Sequence, residues 1–211
     1  MLYGRPRGPG ACRSCGGETH RFDRLSTAYV YLLGLYLGDG TISKARRGVF
    51  KLRVFLDMKY PDIVAECEAA MLAVLPFNRV SRILKPSNCY EVYAYSKSWP
   101  CLFPQHGPGM KHTRKIELAE WQRALVRLAP ELLLRGLIQS DGCRFTNTRG
   151  KSDTWSAPRY AFDNVSDEIR GIFCDTCDLL GLHWTMARPH TIYVSRKDDV
   201  ARLDQFVGPK R

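Results

Sequence analysis

Two aspartates, Asp39 and Asp141, close two copies of one short pattern. Residues 31–40 read YLLGLYLGDG and residues 132–142 read LLLRGLIQSDG. Each is an apolar run, interrupted by glycine and ending in Asp-Gly. Such a run is predicted to be a helix, and a carboxylate at the C-terminal end of a helix is disfavoured by the helix dipole. The same unfavourable placement made twice points to a positive charge shared by both acids. A divalent metal ion is the economical candidate, because paired carboxylates with water completing the shell suit Mg²⁺ or a similar hard cation. The chemistry such a site supports is hydrolysis of a phosphodiester, in which a cation polarises the phosphate and activates water. A single Asp-Gly would read as an ordinary turn ending a helix. The duplication is what argues for a site.

The elements that must position these acids repeat as well. Ser26 or Thr27 can cap the first motif helix, which runs to Asp39. Strands are predicted over 41–46 and 49–57 around an Arg47-Gly48 turn, then a helix over 60–75 with Ile63, Cys67, Met71 and Val74 on one stripe. Strands over 79–84 and 90–96 flank a Pro86-Ser87-Asn88 turn. Residues 99–109 are irregular, and a helix over 116–128 closes before Pro130. The second half repeats the order: a motif helix over 131–140, strands near 144–148 and 160–163, a helix over 166–180 capped by Ser166, strands over 183–187 and 191–195, and a last helix from Asp198. LDMKYPDI (56–63) matches FDNVSDEI (162–169), and GPGMKH (107–112) is echoed by VGPKR (207–211). The expected architecture is α+β, with two αββαββα repeats over 26–128 and 129–211 behind a basic N-terminal arm, 1–25, that carries a CxxC pair. A duplicated unit packs as a pseudo-dimer within one chain, so a monomer is expected. The motif helices then meet at the pseudo-twofold axis, where Gly34 and Gly136 allow close approach and Asp39 and Asp141 emerge side by side.

Composition bounds the partner. The 211 residues carry a formal charge of +11, and up to Leu56 ten basic residues face three acids. A polyanion is the natural partner. The chain shows no long apolar span, and its start, MLYGRPRGPG, is polar and glycine-rich, so neither a membrane nor a signal peptide is expected. The eight scattered cysteines read as reduced thiols of an intracellular protein, cytoplasmic or nucleoid-associated.

Alternation over 50–57 places Phe50, Leu52, Val54 and Leu56 on one face and Lys51, Arg53, Phe55 and Asp57 on the other. The apolar face packs on helices. The charged face is free to meet base edges, where Arg and Lys pair with guanine and carboxylates accept from cytosine. Arg159 and Asp163 alternate with Tyr160 and Phe162 in the same way, and Arg144, Asn147, Arg149 and Lys151 are further candidates. In the arm, GRPRGPG (4–10) presents Arg5 and Arg7 on an extended backbone suited to a narrow minor groove, although a plain basic tail reads equally well. Cys12 and Cys15, with His20 nearby, form half of a zinc knuckle. No second pair has obvious spacing, so zinc is the weaker reading, and Cys174 and Cys177 read as core thiols.

Residues 32–40, LLGLYLGDG, and 135–142, RGLIQSDG, each followed by the same pattern of elements, resemble the LAGLIDADG homing endonucleases in their single-chain, two-motif form. The resemblance runs from about Ser26 to the C-terminus. It implies that each half presents a saddle-shaped antiparallel sheet to the DNA major groove. Asp39 and Asp141 would bind divalent cations, Mg²⁺ or another such as Mn²⁺, between two scissile phosphates, with backbone help from Gly38 and Ser140. Hydrolysis across the minor groove would leave short 3′ overhangs at a long double-stranded target. Lys111 stands where family members carry a catalytic lysine. Lys210 is its counterpart on a weaker alignment, and reads more simply as a solvated lysine. Gly38 replaces the commoner alanine, harmlessly on this reading, while Gln139-Ser140 departs further and is expected to alter packing more than chemistry. The same fold also serves as a cleavage-deficient DNA-binding regulator or an RNA-binding intron maturase. The intact acids favour the nuclease. An intein remnant is disfavoured, since no splicing-type Cys or Ser start and no His-Asn end flank the chain.

Overall fold

The computed structural model describes residues 12, 15, 20–22, 25–148, 156–208 and 210. The first half runs α1 (Ala28–Asp39), β1 (Gly40–Lys44), β2 (Phe50–Asp57), α2 (Pro61–Val74), β3 (Val80–Leu84), β4 (Cys89–Ser96), α3 (Trp99–Leu102) and α4 (Glu120–Leu128). The second runs α5 (Pro130–Asp141), β5 (Gly142–Thr148), β6 (Ser156–Asp163), α6 (Asp167–Leu179), β7 (Trp184–Arg188), β8 (Thr191–Val194) and α7 (Lys197–Phe206). Each half forms a four-stranded antiparallel sheet, ordered β1-β2-β4-β3 and β5-β6-β8-β7. The α+β class and the doubled αββαββα order are those read from the sequence.

Local chemistry accounts for most boundaries. The β1–β2 connection turns through Arg47 at φ 58° and Gly48 at φ 69°, left-handed values that glycine accepts freely. Asn88, at φ 56°, makes the β3–β4 turn, where a short polar side chain tolerates the same region. Ser166 caps α6 by accepting from the Ile169 amide. Three boundaries differ most from expectation: β6 starts at Ser156 rather than near Tyr160, and the other two lie between β4 and α5. Residues 99–109 open with α3, whose Pro100 lies in the first turn, where a missing N–H costs nothing. Helix α4 starts at Glu120, because Ile116 and Leu118 are buried while Lys115 and Glu117 are exposed, an alternation of extended chain.

Helix α1 is apolar all round because it is covered all round. Nine consecutive residues, Tyr29 to Leu37, are buried between α5, α2, α4 and the first sheet. Leu52, Val54, Leu56, Val92 and Ala94 supply the inner face of that sheet. Tyr160, Phe162, Ile192 and Val194 do the same in the second half, where Phe162 stacks on Phe173 of α6 at 4.4 Å. Among the described residues, no helix is long and apolar enough to cross a membrane.

Candidate metal centre and nucleic-acid interface

Two glycines decide how near the acids come. A Cβ on Gly34 would lie 2.6 Å from the Leu133 carbonyl oxygen and 2.9 Å from the Cα of Gly136. Gly136 is held just as tightly against α1, so the two helices touch backbone to backbone. One turn on, a Cβ on Gly38 would lie 2.5 Å from the Ser140 Cβ, closer still to its Oγ, and 3.1 Å from Asp141 Oδ2. Asp39 and Asp141 are the last residues of the paired helices, and both are half-buried at the joint. A polar bridge braces the same interface: the Tyr31 hydroxyl donates to Gln139 Oε1 at 2.5 Å, and Arg135 pairs with Glu66.

The electrostatics are those of two crowded carboxylates. Burial, and then the neighbouring Asp141, push the Asp39 carboxyl up to about 6. Burial also raises Asp141, opposed by the Asn164 amide, which donates to its Oδ2 at 2.6 Å. Two lysines answer the charge. Lys111 donates to the carbonyls of Tyr36, Leu37 and Gly38 at 2.6, 2.8 and 2.5 Å, capping the C-terminal end of α1. Burial lowers it to about 8 against the pull of Asp141 and Asp39. Lys210 reaches the Ser140 carbonyl at 3.4 Å, and burial lowers it too, against the pull of Asp39. It is half-buried, not the solvated lysine that its place near the C-terminus suggests. A cleft of about 250 Å³ opens beside Asp39, bordered by Asp57, Lys59, Tyr60, Ser140 and Lys210.

The donor set fits a hard divalent cation: two carboxylates both made harder to ionise by burial, and carbonyls at two helix ends. The Gly38 and Ser140 carbonyls, expected as backbone ligands, already accept from lysines, and each keeps a second lone pair. Lys111, expected as the catalytic lysine, has all three ammonium donors on α1 carbonyls.

The strand registers sort the expected base-reading residues. Lys51, Arg53, Phe55 and Asp57 share the outer face of β2, opposite Tyr95, Tyr93, Glu91 and Cys89 of β4. On the second sheet Phe145 pairs with Arg159, which puts Cys143, Phe145, Asn147, Arg159, Ala161 and Asp163 on the outer face. Arg53 and Arg159 occupy matching places, and for neither is there an acceptor for Nε among the described residues. Other members of the set are engaged locally. Lys51 joins Lys85 on the buried Glu91, at 2.5 and 2.6 Å, and lies over the Tyr93 ring. Burial would raise Glu91, but the two lysines outweigh it and hold the carboxyl low. Asp57 accepts from the Lys59 amide at 3.0 Å, and Asp163 accepts from Thr191 Oγ1 at 2.5 Å.

Arg144 corrects the expectation. It pairs with Tyr160 across the β5–β6 ladder, so it points to the helix side of the sheet. There it grips Asp204 of α7 with two bonds, at 2.7 and 2.8 Å, while the Tyr160 hydroxyl donates to the same carboxylate. Arg5, Arg7, Arg149 and Lys151 lie outside the described residues. Cys12 lies beside Cys101 of α3 and Cys15 beside His20. Cys174 and Cys177 are buried in α6, as expected of core thiols. Sequence reasoning missed Asn164 and Glu91. The first directly follows the strand that ends in Asp163, and a lone carboxylate in an otherwise uncharged strand, CYEVYAYS, was the signal for the second.

No family profile and no curated protein matches the chain. Solved structures do. The homing endonuclease I-DmoI in complex with DNA and Mn is 16% identical, with a TM-score of 0.53, over 89% of this chain and 99% of that one. I-DmoI in complex with DNA and Ca is 14% identical, with a TM-score of 0.52, over 86% and 90%. The homing endonuclease I-WcaI bound to its DNA recognition sequence is 14% identical, with a TM-score of 0.52, over 88% and 83%. Identity this low speaks to architecture alone. On that ground the chain has the LAGLIDADG homing endonuclease fold, with an acid at the end of each motif helix.

Proposed function

We propose that the chain is a divalent-metal-dependent endonuclease that hydrolyses both strands of double-stranded DNA at a long target site, acting as a monomer across the minor groove and leaving short 3′ overhangs. The observation that carries this reading is the meeting of Asp39 and Asp141 at the joined ends of α1 and α5, with Lys111 and Lys210 beside them. The similar structures solved with DNA and Mn or Ca support it.

In this reading Asp39 and Asp141 hold Mg²⁺, or another divalent cation such as Mn²⁺, with the Gly38 and Ser140 carbonyls in reach. When bound, such a cation supplies the charge that polarises a scissile phosphate and makes water a stronger nucleophile. Lys111 and Lys210 keep positive charge at the helix ends, where phosphate would carry developing negative charge. Asn164 holds the Asp141 carboxylate in one orientation. The outer faces of the two sheets, with Arg53, Asn147 and Arg159, meet the bases.

The test is cleavage of a randomised double-stranded library with Mg²⁺ present. Sequence-dependent double-strand breaks are expected from the native chain. Asp39→Asn and Asp141→Asn should each lose cleavage while keeping DNA affinity within a few-fold. Full activity in either variant would remove the proposed centre. Enrichment of bound sequences without cutting would point to a cleavage-deficient regulator, and preference for structured RNA would point to a maturase.

A further inference from the structure

The N-terminal CxxC pair lacks two ligands in the sequence, and the fold brings them. Cys12, Cys15, His20 and Cys101 each offer one ligand atom, and all four atoms lie within 4.8 Å of one another. Cys12 Sγ is 3.8 Å from Cys101 Sγ, and Cys15 Sγ is 3.3 Å from His20 Nε2. Bond lengths of about 2.3 Å to sulfur and about 2.0 Å to nitrogen make tetrahedral edges of roughly 3.8 Å between sulfurs and roughly 3.5 Å between sulfur and nitrogen. The Cys12–Cys101 and Cys15–His20 spacings lie close to those edges, and the other pairs stay within 4.8 Å. They exclude a Cys12–Cys101 disulfide in this arrangement, which needs a sulfur separation of about 2.0 Å.

The scaffold around the four is braced on both sides. Cys101 belongs to α3, which is pinned by the Tyr29 hydroxyl donating to the Leu102 carbonyl at 2.5 Å and by Trp99 Nε1 donating to the Ala94 carbonyl at 3.0 Å. His20 packs on Phe22 at 5.5 Å, and Phe22 stacks on Trp121 of α4 at 4.1 Å. Two separate parts of the chain thus deliver their ligands from fixed supports. Three thiolates and one imidazole are a soft set, suited to Zn²⁺ and unsuited to Mg²⁺.

We propose that Cys12, Cys15, His20 and Cys101 form a closed structural zinc site that clamps the N-terminal segment to α3 of the first repeat. A four-protein-ligand site leaves no open position, so its role is architectural. It ties together Cys12 and Cys101, which stand 89 positions apart in the sequence. It also fixes the point from which the basic stretch containing Arg5 and Arg7 departs. The site is chemically distinct from the paired aspartates, and its existence does not depend on cleavage.

The experiment is metal analysis of the full chain purified without chelator, followed by exchange of zinc for Co²⁺. One equivalent of zinc is expected. The cobalt form should show the intense visible bands of a tetrahedral ion and the near-ultraviolet thiolate-to-metal charge transfer. Cys101→Ser and Cys12→Ser should each lose most of the zinc and weaken the charge-transfer band, whereas Cys89→Ser should keep both. Cys12→Ser leaves α3 intact, so it remains decisive if Cys101→Ser folds poorly. Three outcomes would overturn the proposal: no zinc after refolding with zinc present, full zinc in both Cys12→Ser and Cys101→Ser, or a mass two hydrogens light with a Cys12–Cys101 crosslink.

Discussion

Asp39 and Lys111 titrate toward each other, the carboxyl pushed up to about 6 and the ammonium down to about 8. Both shifts come first from burial, and each carries a stability cost that function can explain. For Asp39 the folded value lies above the unfolded one. Its contribution to stability is therefore fully present below the unfolded value, near 3.8, and is lost as pH rises through about 6. Asp39→Asn should accordingly stabilise the protein at pH 7 without added divalent cation, by roughly 1–3 kcal/mol, and the gain should vanish near pH 4. Thermal denaturation at the two pH values measures this, and a variant less stable than the native chain at pH 7 would refute it. Cation binding runs the other way. A protonated Asp39 is not a ligand, so Mn²⁺ affinity should fall as pH drops below about 6, by about tenfold per unit where one proton is displaced. Above about 8 Lys111 loses its charge, so cleavage is expected to peak between the two values. Titration of Mn²⁺ across pH 5 to 7 with constant affinity would show that Asp39 is not a ligand.

At the joint of α1 and α5, the pairing of Gly38 with Ser140 revises what sequence resemblance implies. Taken by itself, glycine in place of alanine at 38 looks harmless. In the structure an alanine Cβ there would come 2.5 Å from the Ser140 Cβ, so the glycine is what lets the serine fit. The Ser140 hydroxyl turns back on its own helix, donating toward the Gly136 and Leu137 carbonyls at 3.0 Å, so its Cβ has no slack. Gly38→Ala should destabilise the protein by about 1–3 kcal/mol. Ser140→Gly should recover most of that loss in the double variant, and Ser140→Ala should recover little, because its Cβ remains. Urea denaturation of the four-member cycle reads the coupling. If Gly38→Ala alone stays within about 0.5 kcal/mol of the native chain, the helices have slack the packing does not show. The close approach at Gly34 and Gly136 was legible in sequence because the two motifs align. The Gly38–Ser140 contact joins matching positions too, but that the serine Cβ leaves no room for a second Cβ shows only in the packed helices.

Across the whole molecule, the doubled order of elements was readable because helix and strand periods alternated in the same sequence twice. What a linear pattern withholds is pairing. The register of β5 against β6 sets Phe145 opposite Arg159, and a shift of one position would move every side chain to the other face. Arg144 and Arg159 both look like sheet arginines in the sequence, yet the register sends one to α7 and the other outward. Likewise Cys101 completes the CxxC cluster from a distant helix, a contact that no local spacing announces. These placements separate two arginines experimentally. Arg53→Ala removes an outward guanidinium, and DNA affinity should fall by about 1–3 kcal/mol with preference relaxed at one base pair. Its salt dependence should hardly change, because base contacts release no condensed counterions. Arg144→Ala removes the anchor of Asp204. It should lower the melting temperature modestly, since the pair is about one-third exposed, and leave base preference untouched. The +11 chain should still bind with a steep salt dependence, of the order expected for several neutralised phosphates. Binding measured at two salt concentrations decides among these. Unchanged affinity in Arg53→Ala, or altered preference in Arg144→Ala, would mean that DNA meets a surface other than the outer sheet faces.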